Sequence, residues 1–443
     1  MDLAQAFEEV GGGQRAASFE VFARSLEPQW IEQALAATGT ATVRRRKLPA
    51  EQVVWTVIGM GLFRDRSIQE VVHHLGLVLP AKTPPSGRAV PATTSGAVVQ
   101  ARDRLGAAPL EALFETTAAR WATASADRFR WRELAVYGVD GSALRIPDTP
   151  ENEAAFGRPG SSRGKAGYPQ LRMVALMVLR SHLLAGLAVG PWSVGEKTLA
   201  ESLWERLPDH ALVILDRGFL SYGLLHRLAT SGTARHWLIR AKANLRWRTL
   251  KPLGPNDQLV EIPVSRQARR AHPELPETLQ VRAVRYQRPG FQPQILLTSL
   301  LDPQTYPPAE IAALYHERWE LELGFDEIKT HALEREEALR SRAPERVRQE
   351  VWGLAIAYNL VRLHMQEVAQ RAAVAPTRIS FRHALLLLRG FWQLTAWIAS
   401  PGVLPRRLED LHHQLGLLIL PPRRPRRHPR AVKIKMSGYP RKR

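Results

Sequence analysis

Two aspartates stand where apolar runs stop. Asp140 follows AVYGV and precedes Gly-Ser, and Asp216 follows ALVIL and precedes Arg217-Gly218-Phe219. An acid at such a place is costly unless it is paired, hydrogen-bonded or bound to a metal, and in open α/β sheets ligands gather beyond strand ends. Taken singly, each aspartate is equally well a helix cap or a turn residue. A third acidic region lies in LYHERWELELGFDEIKT. On a helix advancing about 100° per residue, Tyr315, Arg318, Glu322 and Lys329 fall within roughly 60° of one another. Leu314, Leu321, Phe325 and Ile328 form a neighbouring apolar stripe suited to packing on a sheet. Glu317, Glu320 and Glu327 point away from the polar arc, whereas Asp326 lies close to it, and periodicity does not choose between Asp326 and Glu322. Alone, this helix is most simply an amphipathic one laced with i,i+4 charge pairs.

The elements that must position these residues follow from the pattern of apolar residues. From Ser18 to about Arg130 the chain reads as helices with short breaks; Ser67-Ile-Gln-Glu70 has the form of a capping box, and a Pro/Gly/Ser/Thr-rich link covers Pro80 to Ser95. Three short helices with a basic last one, AVVQARDRLG, suit either a helix-turn-helix or a plain bundle in which Arg102 and Arg104 are solvated. From residue 131 the periodicity becomes strand-like, in ELAVYGVDGSALRIP, YPQLRMVALMVLR and LLAGLAVGPW, and then alternates helix and strand, as an α/β sheet requires. The expected organisation is an α/β fold: an all-helical N-terminal domain over 1–130, a catalytic core over 131–232 and 302–400 ending in helices, a β-rich insertion over 233–301, and a helical end with a Pro/Arg-rich tail over 401–443.

The chain has 443 residues, a formal net charge of +20 and no cysteine. The charge suits a partner presenting many phosphates. No run of about 20 apolar residues exists to span a membrane, and without cysteine there is neither a disulfide framework nor a thiolate metal site. The N-terminus lacks a secretory profile, so a cytoplasmic protein is expected. The tail PPRRPRRHPRAVKIKMSGYPRKR reads as a poorly ordered phosphate-binding segment or as an aid to solubility. GSSRGKAG around Lys165 departs from a phosphate loop at Pro159 and Ala166. His73-His74, His412-His413 and His428 lack the sequence spacing of a zinc site.

At this point the chain resembles the insertion-sequence-4 transposases, which have an RNase H-like catalytic core. Their signature, Tyr-x2-Arg-x3-Glu-x6-Lys, is met by Tyr315, Arg318, Glu322 and Lys329, and the resemblance extends to Asp140 in VDGS, Asp216 in LDRGF, the LRSRAPERVRQEVWGLAIAYNLVR stretch and VIGMGLFRDRSIQEVV. It implies that Asp140, Asp216 and Glu322 are the catalytic, metal-binding acids and that Asp326 is a bystander. Such a set would hold two Mg²⁺ ions, with Mn²⁺ able to substitute, about 3.5–4 Å apart for cutting and joining DNA. Tyr315, Arg318 and Lys329 would contact backbone phosphate. The implied partners are double-stranded DNA, as transposon ends and target, and a second copy of the chain in a synaptic homodimer; a bacterial, nucleoid-associated location follows. The implied activity is cut-and-paste transposition. The competing functions are an RNase H-like nuclease or resolvase without strand transfer, and a non-catalytic DNA-binding regulator. Relatives stack a flipped base on an aromatic residue of the insertion, for which Trp237 and Trp247 are the candidates, though both also read as core residues.

Overall fold

Five strands form the part of the sheet that carries the two aspartates. In the computed structural model, β1 (Ala135–Arg145) pairs antiparallel with β4 (Gln170–Val178), which pairs antiparallel with β5 (Leu184–Pro191). On the other side of β1, β6 (Ala211–Leu215) and β7 (Arg235–Arg240) follow in parallel. All five residues of β6 are fully buried, as expected of a central parallel strand covered on both faces. The structure describes residues 25–40, 48–74, 94–161, 164–334, 338–395 and 404–422. The basic tail with His428, nearly all of the Pro80–Ser95 link and the side chains of His73, His74 and Lys165 lie outside the described residues.

The β-rich insertion continues this same sheet. β8 (Arg248–Gly254), β9 (Asp257–Pro263), β10 (Thr278–Tyr286) and β11 (Gln294–Thr298) add to β7 through β11, so the nine strands run β5-β4-β1-β6-β7-β11-β10-β9-β8. β7, which strand composition alone groups with the insertion, is paired with β6 as a strand of the core sheet. Arg282 on β10 is fully buried. It forks onto Asp257 at 2.8 and 2.6 Å and donates to the Tyr306 carbonyl at 2.7 Å, tying the insertion to the loop that opens the next helix. The hairpin β2 (Gly160–Ser161) and β3 (Gly164–Lys165) holds the segment that superficially resembles a phosphate loop; a hairpin offers no helix N-terminus to a phosphate.

Helices cover the sheet. The N-terminal set comprises α1 (Pro28–Ala37), α2 (Ala50–Leu62), α3 (Ile68–His74), α4 (Ser95–Leu105) and α5 (Ala108–Arg128). The capping box opens α3: the Ser67 amide donates to Glu70 at 2.8 Å and the Glu70 amide to Ser67 Oγ at 3.3 Å. These helices lean on α12 (Pro344–Arg371), a 28-residue helix buried on most of its surface. Where α2 crosses α12, a Cβ on Gly353 would lie 2.7 Å from the Val57 carbonyl oxygen, and one on Gly61 would lie 3.0 Å from the Leu354 Cα. Two glycines therefore permit a near-backbone contact. Beside it, Glu350 accepts from Arg64 at 2.7 Å and from Ser341 Oγ at 2.6 Å, both ion-pair partners being almost inaccessible. Arg102 is also buried here, donating to Gln349 and Ser341 at 3.0 Å each. The expectation that Arg102 is a solvated charge does not survive: the α4 face that carries it is docked on α12. Among the described residues no helix is long and apolar enough to cross a membrane.

Candidate active site

The register of the sheet brings the two aspartates side by side. The last parallel pair between β1 and β6 is Val139 with Leu215, so Asp140 and Asp216 are the next residues on adjacent strands, which lie about 4.8 Å apart. Asp140 is not the end of its strand, as the apolar run suggests. β1 continues to Arg145 against β4, and only its pairing with β6 stops at the aspartate. Asp216 ends β6 and caps the 3₁₀ turn Arg217–Phe219, accepting from the Gly218 amide at 3.2 Å. Asp140 accepts from the Gly141 amide at 2.8 Å. Burial pushes its carboxyl up to about 6; the Gly141 amide and Arg318 oppose this, while Asp216 and Glu196 add to it.

The signature residues occupy a helical rod of changing pitch rather than one regular helix. α10 (Pro308–Tyr315) passes through a 3₁₀ turn (His316–Arg318) into α11 (Trp319–Asp326), and the chain then runs as a π-helix over Glu327–Ala332. Beyond Asp326 the 100° wheel no longer holds, so the angle that groups Lys329 with Glu322 is not that of a regular helix. The rod crosses the sheet at Gly138, where a Cβ would stand 2.7 Å from Leu321 Cδ1. Gly138 and Asp140 share a face of β1, so Asp140 faces the same rod. Arg318 donates to Glu322 at 2.9 Å. It also acts electrostatically on Asp140, and its own value, lowered by burial, is raised overall by Glu322, Tyr315 and Asp216. One guanidinium thus sits in the field of all three acids. Asp326 is exposed and accepts from Thr330 Oγ1 at 2.6 Å.

The three glutamates expected to point away do so, and each has work on the other side. Glu317 is forked by Arg180 at 2.8 and 2.9 Å, and Glu320 meets His182 at 2.8 Å. Glu327 accepts from Tyr358 at 2.8 Å and Arg362 at 2.6 Å. Burial would raise its carboxyl, but Arg362 and His182 overcome this and hold it down to about 2. These pairs bolt the rod to the β4–β5 turn and to α12.

Tyr315 is only 6% exposed, so its ring is packed rather than offered to solvent. Burial pushes its hydroxyl up to about 12, modulated by Arg318, Asp216, Arg240 and Tyr286. Arg240 on β7 and Tyr286 on β10 therefore join the site from the insertion side, and the Tyr286 ring meets His316 edge-on at 5.5 Å. Trp237 is 5% exposed on β7 and belongs to the core; Trp247 is partly buried against it. Glu196, the first residue of α7 (Glu196–Glu201), is the acid missed in the sequence. Its carboxyl carbon lies 2.5 Å from where a Gly141 Cβ would stand. The only signal for it was an acid opening a helix just after a strand. Past Asp216, a cavity of ≈ 390 Å³ is lined by Ser221, Tyr222, Lys242, Asn244 and Arg246 among others, and Lys197 reaches the Leu220 carbonyl on its edge at 3.5 Å.

The donor set consists of hard oxygens from two adjacent strands and a facing helix, with a cation among them, and it fits a divalent metal. Residues 16–115 match the family described as Insertion element 4 transposase N-terminal, and residues 131–360 the family described as Transposase DDE domain. The chain is similar to the transposase InsG for insertion sequence element IS4 of Escherichia coli strain K12, with 38% identity over 417 residues, covering 94% of this chain and 92% of that one. The cryo-electron microscopy structure of a piggyBac transposase synaptic complex with hairpin DNA is similar over 92% of this chain and 86% of that one, at 12% identity and a TM-score of 0.44. The family models and the relative together define a DDE transposase, a DNA-binding enzyme that depends on divalent metal. Within that class, the chain belongs to the insertion-sequence-4 family.

Proposed function

We propose that Asp140, Asp216 and Glu322 hold two Mg²⁺ ions, replaceable by Mn²⁺, and that the enzyme excises and reinserts its element by cut-and-paste as a synaptic homodimer. The observation that carries this reading is the convergence of the three acids on one guanidinium. Arg318 offsets their charge in the metal-free protein, and a hydrogen-bonded arginine is a natural phosphate ligand once the acids are otherwise occupied. Bound divalent ions would activate the attacking oxygen and stabilise the leaving 3′-oxygen. The protein supplies the rest. Asp140 and Asp216 fix the spacing through the sheet register, Arg318 and Lys329 grip the DNA backbone, and Tyr315 lies in the electrostatic field of Arg318 and Asp216. The cavity past the 3₁₀ turn that Asp216 caps, with Lys242 and Arg246 in its lining, would extend the phosphate track.

The test is incubation with the element's own terminal DNA, with and without Mg²⁺ or Mn²⁺, separating nicked, hairpin and joined products. Asp140→Ala, Asp216→Ala and Glu322→Ala should each lower cleavage by ~10³-fold or more while retaining DNA binding. Asp326→Asn should stay within about threefold of the parent, because its carboxylate serves Thr330. Near-normal cleavage by Glu322→Ala, or loss only in Asp326→Asn, would transfer the third-acid role. Cleavage without joined products would reduce the activity to that of a nuclease.

A further inference from the structure

At the last two turns of α12 and the helix packed against them, two histidines and a glutamate converge. His364 and Glu367 lie three residues apart on one face of α12, and His412 comes from α14 (Leu404–Gly416). His364 Nδ1 is 3.2 Å from His412 Nε2, which is 3.4 Å from Glu367 Oε2, and all three ligand atoms lie within 4.8 Å of one another. Both histidines are 3% exposed, and burial holds their rings neutral, at about 3 for His364 and about 4 for His412. The Glu367 side chain is half exposed and opens the cluster to solvent.

A hydrogen-bond network explains this poorly. With both rings neutral, His412 Nε2 either accepts from a His364 Nδ1–H or donates to Glu367, so well-formed hydrogen bonds to both neighbours are not available at once. The separations exceed the usual 2.9–3.0 Å for a good N–H donor. The two short separations, 3.2 and 3.4 Å, match the edge of a tetrahedron, since ligand bonds of about 2.0–2.1 Å to zinc place neighbouring donors about 3.3–3.4 Å apart, and the third separation stays within 4.8 Å. His412 Nδ1 is buried without a hydrogen-bond partner among the described residues, so the ring gains nothing from its far side. Of the charged groups nearby, Arg371 opposes a cation, but it is itself paired with Glu409 at 3.1 Å.

We infer that His364, Glu367 and His412 form a second metal site, distinct from the acidic centre, which takes one zinc-class divalent ion with water as fourth ligand. Two imidazoles and one carboxylate select such an ion over Mg²⁺. The ion would join α14 to α12 and so fix the C-terminal helix on the catalytic body.

The experiment uses the full chain carrying Asp140→Asn and Asp216→Asn, stripped with chelator and held in excess Mg²⁺ so that the acidic centre does not register. Titration with Zn²⁺ should show one equivalent bound, and Co²⁺ should give the visible absorption of a tetrahedral site. Glu367→Gln, an exposed change that leaves the core intact, should weaken Zn²⁺ binding about tenfold or more, and His412→Asn should abolish the Co²⁺ band. Metal should also raise the Tm of the parent but not of the variants. Absence of a stoichiometric site in the folded parent overturns the inference. So does Glu367→Gln binding Zn²⁺ like the parent, whether or not His412→Asn folds.

Discussion

At Asp140 the burial that makes the residue useful also makes it unstable as an anion. Its value near 6 lies above the ordinary carboxylate range, so the fold favours the protonated acid. That contribution to stability is complete below the ordinary range near 4 and is lost as pH rises through about 6. The metal-free protein should therefore lose thermal stability between about pH 4 and pH 7 through this group. Divalent metal binds the ionised form and should reverse that slope at the upper end. Melting curves in chelator and in Mg²⁺ across this interval test the point, and Asp140→Asn should flatten the difference between them. Glu196 contributes to the raised value from the opposite face of β1, so Glu196→Gln should lower it and move the onset of metal binding to lower pH. A Glu196→Gln onset identical to the parent's would separate that residue from the centre.

The elements around the site are less regular than their sequence, and the irregularities serve the geometry. Strand-end acids were legible because a charge closing an apolar run is expensive, and the signature helix because its residue spacing is periodic. Register was not legible: the placement of Asp140 beside Asp216 depends on Val139 opposing Leu215, a pairing between residues 76 apart in the chain. The 3₁₀ and π turns were hidden for a similar reason. They coincide with Glu317, Glu320 and Glu327 engaging Arg180, His182 and Arg362, partners that no local pattern announces. Arg102 looked like a surface charge because its acceptors, Gln349 and Ser341, lie some 240 residues away, and His412 looked isolated because His364 is 48 residues distant. The bolting of the rod has a measurable cost. Glu327→Ala leaves Arg362, 1% exposed, without its main counter-charge, and should destabilise the protein by about 3–5 kcal/mol in urea denaturation. The same variant should reduce cleavage even though Glu327 faces away from the acids.

For the whole molecule, charge governs the encounter with DNA. Residues 423–443 hold ten lysines and arginines and no acid, half the formal net charge of +20. If the tail neutralises phosphates, removing it should lower non-specific affinity and reduce the slope of log K against log salt by about 0.9 for each phosphate that is no longer neutralised. An unchanged slope would leave the tail as an aid to solubility. The joint between the N-terminal helices and α12 has a different consequence. Gly353 admits α2 at backbone distance, and Glu350 is neutralised by Arg64 from the N-terminal region. The two regions are thus matched as a lock to its own key. A chimera that takes residues 1–130 from a relative with a bulkier α2, or without a basic residue at position 64, would inherit an intact reaction centre in a body that no longer closes. Changes to the N-terminal helices that keep this joint are then confined to the faces turned away from α12.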